Sequence, residues 1–250
     1  MRTLISALAL AGSLLAAAPL YALHTGGSPV IIPVAGRFPG AGGTQWRTDL
    51  FVANPFSITQ TATIKFYQTG GAVSQTTVTL TRQTTASYPD VVLNTFGLTN
   101  AAGTIEVSVA PGFTIEARAT IYNTGNPAGQ FGQGLPGIAL GNLSRQAYLF
   151  GLSGINGTRL NVGASNPNET AVQVQITLTD SANQPILSRT ETIAAHGYVQ
   201  INDIFATLGV TPRAGVTVNV TSESLIYGYS SEVRNDTGDA IFSFGISPNS

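Results

Sequence analysis

Shifted by 112 residues, the chain lies on itself. Arg47, Asn54 and Pro55 fall on Arg159, Asn166 and Pro167, and the same register takes Asp90 to Asn202, Phe96 to Leu208, Gly97 to Gly209, Gly103 to Gly215 and Asn123 to Asn235. A repeat of that length exceeds a solenoid unit and matches one sandwich domain, so the expected organisation is two homologous domains in tandem. The first domain is placed at residues 23–141 and the second at 142–250, with residues 1–22 set apart. The Gly- and Pro-rich stretch 127–142 before that boundary is expected to end the first domain as a short linker.

Inside each repeat the apolar period is two. Ala62, Ile64 and Phe66 alternate with Thr61, Thr63 and Lys65, and Val172, Val174, Ile176 and Leu178 alternate with Gln173, Gln175 and Thr177. Such alternation predicts half-buried strands, about seven to a repeat, and the 31 Thr suit a pleated surface. Thr69-Gly70-Gly71, Pro111-Gly112 and Ser181-Ala182-Asn183 are expected turns. One helical turn interrupts each repeat, with Asp90 as cap and Gly97 as stop in the first, and Asn202 and Gly209 in the second. The predicted fold is all-β: two tandem antiparallel β-sandwich domains of immunoglobulin-like kind, each with one short helical turn. A jelly roll fits less well, because each unit is short. Residues Ser28 to Ala35 should form a first strand, Pro33 assigns it to a sheet edge, and Ala147 to Leu152 is its counterpart. Pairing within its own domain is the default, with donation to a neighbouring molecule as the rival.

Residues 1–22 contain Arg2, an uncharged apolar run and Tyr21-Ala22, the pattern of a signal peptide cleaved after Ala22. An uncut anchor helix is the competing reading. The expected destination is outside the cytoplasm: secreted, periplasmic or at the cell surface. With no Cys, an exported chain of this kind relies on packing rather than disulfides. Charged residues make up only 9 % of the chain, ten Arg stand singly with one lysine, Lys65, and the net charge is −1, so a nucleic-acid surface is excluded.

The leader from Pro39 through Gly40, Ala41 and Gly42, followed by Trp46-Arg47-Thr48-Asp49-Leu50 and the Asn54-Pro55 corner, resembles a family of uncharacterised exported bacterial proteins. The resemblance implies paired immunoglobulin-like sandwich units and carries no catalytic or binding residues. The second repeat departs from the pattern, with Thr158-Arg159-Leu160-Asn161 where the first has Trp46-Arg47-Thr48-Asp49, as if the Trp and Asp were needed once only.

Chemistry-bearing residues are sparse. His24 and His196 are the only imidazoles; both are read as surface residues, one in a terminus and one in a turn before Gly197, and no Gly-x-Ser-x-Gly elbow accompanies them. No catalytic, cofactor-binding or metal-binding residue is assigned, and no cofactor is expected. Asn235 to Asp239 offers oxygen ligands at Asp236 and Asp239, yet it reads as a hairpin turn sooner than a calcium loop. Arg47 and Asp49 share a strand face, where they can bridge strands or anchor the leader. Tyr227 and Tyr229 share a face expected to point inward, and Lys65 belongs to a polar face. The expected function is a non-enzymatic exported structural or interaction module with an unknown protein or glycan partner. A carbohydrate-binding module, a strand-exchanging assembly subunit and an enzyme of unsuspected mechanism are the alternatives.

Overall fold

The computed structural model describes residues 26–40, 43–127 and 129–247. The signal-peptide assignment at 1–22, cleavage after Ala22, His24 and the leader residues Ala41 and Gly42 lie outside the described residues. The first half runs β1 (Val30–Pro39), β2 (Gln45–Asn54), β3 (Gln60–Gln68), β4 (Val73–Leu80), β5 (Thr84–Tyr88), α1 (Val91–Asn94), β6 (Ala101–Val109), β7 (Glu116–Asn123), β8 (Phe131–Pro136) and β9 (Ile138–Ala139). A 3-10 turn at Leu140–Asn142 leads into β10 (Ser144–Ser153), β11 (Thr158–Ser165), β12 (Val172–Thr179), β13 (Pro185–Ile193), β14 (Tyr198–Ile201), α2 (Ile204–Thr207), β15 (Ala214–Arg234) and β16 (Ala240–Phe244). No helix among the described residues is long and apolar enough to cross a membrane.

The fold is all-β, and every pairing between strands is antiparallel. By hydrogen bonding there are two sheets, of nine and seven strands. Each bends over into two layers because one strand passes from one layer to the other. In the first sheet β1 pairs with β6 over Val30 to Arg37 and with β2 at Phe38 and Pro39. In the second β15 pairs with β10 and β12 before Tyr227, and with β11 and β16 from Tyr227 onward. The layers are β4-β3-β6-β1 and β5-β2-β7-β8 in the first half, β13-β12-β15-β10 and β14-β11-β15-β16 in the second. Apart from the β1–β2 and β1–β9 pairings, which have no strand counterpart in the second half, the pairing scheme repeats. It differs where β6 and β7 are separate strands joined by a turn at Pro111-Gly112, while β15 runs on for 21 residues.

Alternation explains the core. Ala62, Ile64 and Phe66 on β3 and Leu50 and Val52 on β2 are fully buried between the layers of the first half, and Val174, Ile176, Val218 and Val220 play the same part in the second. Fully burying each Val, Ile or Phe contributes about 1.5–3 kcal/mol, so these stripes dominate the folding energy.

Three expectations need correction. β1 is not an edge strand: β6 lies on one side, and β9 and β2 on the other. Pro33 is tolerated because it falls in the register shift between Ile32 and Ala35, where the ladder does not ask for its missing N–H. The pairing is intramolecular, as the default had it. The stretch before Gly141 is no simple linker, because Phe131–Pro136 and Ile138–Ala139 are strands within the first sheet. And the first half holds nine strands rather than seven.

Candidate functional site

Two buried asparagines mark the corners that the repeated Asn-Pro signalled. The Asn54 amide donates to the carbonyls of Ile58, Leu80 and Thr81 at 2.8, 3.0 and 3.3 Å, and its Oδ1 accepts from Phe56 N and Gln60 Nε2. Asn166 repeats this with Thr170, Ile193 and Ala194 at 2.8, 3.2 and 2.9 Å, its Oδ1 accepting from the backbone N and side-chain amide of Asn168. Both are 1 % exposed. Each ties the loop after one strand to the far end of a hairpin in the facing layer.

A second cluster surrounds the helical turns. Asp49 Oδ1 accepts the backbone N–H of Asp90 at 2.7 Å and the Tyr122 hydroxyl at 3.1 Å. The Asp90 carboxylate pairs with Arg37, and Arg47 Nε stands 3.6 Å from it. Tyr122 is pushed up to about 12 by burial first, then by its bond to Asp49 and the negative charge of Asp49 and Asp90. In the second half Asn161 Oδ1 accepts the N–H of Asp203 at 2.9 Å, so Asp49's backbone contact is made twice, while its charge and its bond to a tyrosine belong to the first half. The caps are also corrected. Asp90 occupies the cap position of α1 but spends its side chain on Arg37, whereas the cap of α2 is Asp203, not Asn202, with its carboxylate accepting Ala206 N at 3.3 Å. Both Asp residues are left-handed, each with φ 41°.

The third cluster joins the halves. The His196 ring stacks on Tyr67 with centroids 4.0 Å apart and planes 10° from parallel, and His196 Nε2 donates to Glu169 at 3.0 Å. Its backbone carbonyl accepts Thr104 Oγ1 at 2.6 Å. The imidazole is only 11 % exposed, so His196 is no surface histidine; its turn conformation, φ 53°, tucks the ring against the other half. The bond from His196 holds the Glu169 carboxyl below its ordinary range. Beside it Lys65 Nζ lies 3.2 Å from Glu106 Oε1, which raises the lysine above its usual value. A small open recess, with room for little more than a water molecule, is lined here by Ile31, Tyr67, Thr104, Glu106, Ser165 and His196. On the other flank the Tyr227 hydroxyl donates to the Pro136 carbonyl at 2.7 Å, and Ser231 Oγ donates to Gln133 Oε1 at 2.8 Å. Tyr227 and Tyr229 do point inward, each 1 % exposed, but they belong to the apolar cluster of the first half, with Phe242 stacked on Tyr229.

With its ring face on Tyr67 and its carbonyl on Thr104, while Glu169 of its own half holds Nε2, His196 acts as a clasp between the halves. Sequence reasoning missed this because the contact partners are remote, Thr104 lying 92 residues away. Residues 235–239 form the turn between β15 and β16, where the Asp236 carboxylate is bound by Arg234 at 2.8 Å. Among the described residues no three His, Asp or Glu side chains group as metal ligands.

No protein-family model matches the chain, and no curated protein is similar to it. Among solved structures, Thermotoga maritima 1070 is 14 % identical over 42 % of this chain and 94 % of its own, with a TM-score of 0.36. A lectin from Pleurotus ostreatus in complex with GalNAc is 11 % identical over 88 % of this chain and 84 % of its own, with a TM-score of 0.16. Likenesses this distant carry no argument about fold or function.

Proposed function

We propose that the chain is a non-enzymatic, exported structural or interaction module built of two tandem immunoglobulin-like sandwich domains, presenting its sheet edges and loops to a partner outside the cytoplasm. The supporting observation is where the reactive groups go: His196, Glu169, Asp49, Asp90 and Tyr122 are engaged in links between strands, turns and halves. Such groups stiffen a body rather than converge on a substrate. Incubating the folded protein with ester, peptide and glycoside panels should give no turnover, and His196→Ala should lower the unfolding midpoint. Turnover that His196→Ala abolishes would sink the reading.

A carbohydrate-binding module is the second reading, favoured by one face of the second half. Gln173, Gln175 and Thr177 stand directly opposite Thr192, Thr190 and Ser188, and across the next ladder Gln175 meets Thr221. This uncharged lattice of amides and hydroxyls suits a neutral glycan sooner than a polyanion. A glycan array separates the two readings: binding lost on Thr190→Lys selects the second. Intact mass of exported material, expected to begin at Leu23, tests the destination.

A further inference from the structure

The edge strands of the two halves are not defended alike. β13 starts with Pro185, carries the Arg189–Glu191 ion pair and has a register shift at its Leu178 and Thr179 partners. These are the usual protections of a free edge: proline, charge and bulge. Its topological counterpart β4 has none of them. The segment VSQTTVTL has no charge and no proline, and its ladder with β3 is unbroken from Gln60 opposite Leu80 to Tyr67 opposite Val73. Among the described residues β4 pairs with β3 alone, leaving its other edge unmatched, and Val73 is 54 % exposed at its start.

We propose that β4 pairs with β4 of a second copy of this chain, antiparallel about Thr76. Side chains of directly opposed residues must share a face. Val73, Gln75, Thr77 and Thr79 face outward, so a two-fold centred on Thr76 sets Gln75 opposite Thr77, Ser74 opposite Val78 and Val73 opposite Thr79. Apart from Ser74 with Val78, the pairs are of the kinds an antiparallel ladder favours, hydroxyl with hydroxyl or amide and β-branched with β-branched, and no like charges meet. The neutral strip complements itself and gains nothing from a charged strand. An isologous contact also covers both open edges at once and closes, so it ends at the dimer. A single pair of eight-residue strands is a small interface, and the dimer is accordingly weak and reversible. The inference goes beyond the module reading, and its readout is association rather than turnover or glycan binding.

Sedimentation velocity of the full chain over a wide concentration range, with hydrogen exchange of the β4 amides, tests it. The wild type should move toward twice the monomer mass with β4 protection rising in step. Gln75→Lys with Thr77→Lys, both at exposed outward positions, should weaken association at least about tenfold by facing lysine with lysine. Gln75→Glu with Thr77→Glu should do the same, and mixing the two variants should restore the dimer as a heterodimer. A wild type monomeric throughout, Lys variants that associate like wild type, or mixtures that do not recover would overturn the proposal. So would β4 protection independent of concentration, which would identify the occupant as another segment of the same chain.

Discussion

Asn54 and Asn166 show how much one buried amide can do. Each donates to one buried backbone carbonyl, that of Leu80 or Ile193, and to two partly buried ones, and a buried group left bare loses about 1–3 kcal/mol. Asn54→Ala should therefore cost about 2–3 kcal/mol, read as a lower urea midpoint at unchanged slope. Asn54→Asp should be worse at neutral pH, since a carboxylate turns charge toward the carbonyls of Ile58, Leu80 and Thr81, and should recover partly on acidification as the carboxyl gains a proton. Asp49 behaves differently, because only its acceptor oxygen is used on Asp90 N and Tyr122. Asn161 already fills the equivalent place, so Asp49→Asn should fall within about 1 kcal/mol of wild type, while Asp49→Ala should lose about 1–3 kcal/mol. The repeated Asn-Pro was plain in the sequence as a corner. The partners of its amide were not, because Leu80 lies 26 residues on and no local pattern encodes that distance.

At the scale of elements, alternation of period two gave the strands and glycine clusters gave the turns, since both depend on neighbours in sequence. Gly70 and Gly71 sit between β3 and β4 with φ of 103° and 93°, values that a side chain resists, and the double glycine announced them. What alternation cannot supply is a strand's place in its sheet. Pro33 argued for an edge, yet a bulge accommodates it inside a sheet, and bulges depend on the partner strand rather than on the proline. Position also explains why Ile31 and Ile32, adjacent residues on opposite faces, are both buried: Ile32 packs in the apolar core of the first half and Ile31 lines the recess against the second half. Deleting residues 23–35 should consequently do more than expose an edge. It removes an inner strand, so the first half should lose its packing, and the only tryptophan, Trp46, should shift its fluorescence to the red without added denaturant.

For the whole molecule, the shared cluster around Tyr227 and Tyr229 couples the halves. Calorimetry should show one unfolding transition, and residues 142–250 expressed alone should expose Tyr227, Tyr229, Phe242 and Phe244 and bind hydrophobic dye. The tyrosines also set an alkaline limit. Tyr122 is raised from 10.0 to about 12, and burial raises Tyr227 and Tyr229 well above their ordinary value. A phenol that stays protonated in the folded state contributes stability that is complete below pH 10.0 and lost as pH rises through the folded value, so unfolding should set in between pH 10.0 and about 12, with tyrosinate absorbance rising together with loss of structure. The 112-residue register was legible in the sequence, but the contacts between the two stretches were not, because they are made by residues such as His196 and Tyr67 that the register does not pair. The long strand β15 has a last consequence, in time rather than space. It supplies ladder partners to β10, β11, β12 and β16, and its tyrosines complete the packing of the first half. As the polypeptide is made from its N-terminus, the core of the first half lacks Tyr227 and Tyr229, and the second half lacks the pairings of β15, until that late strand has emerged.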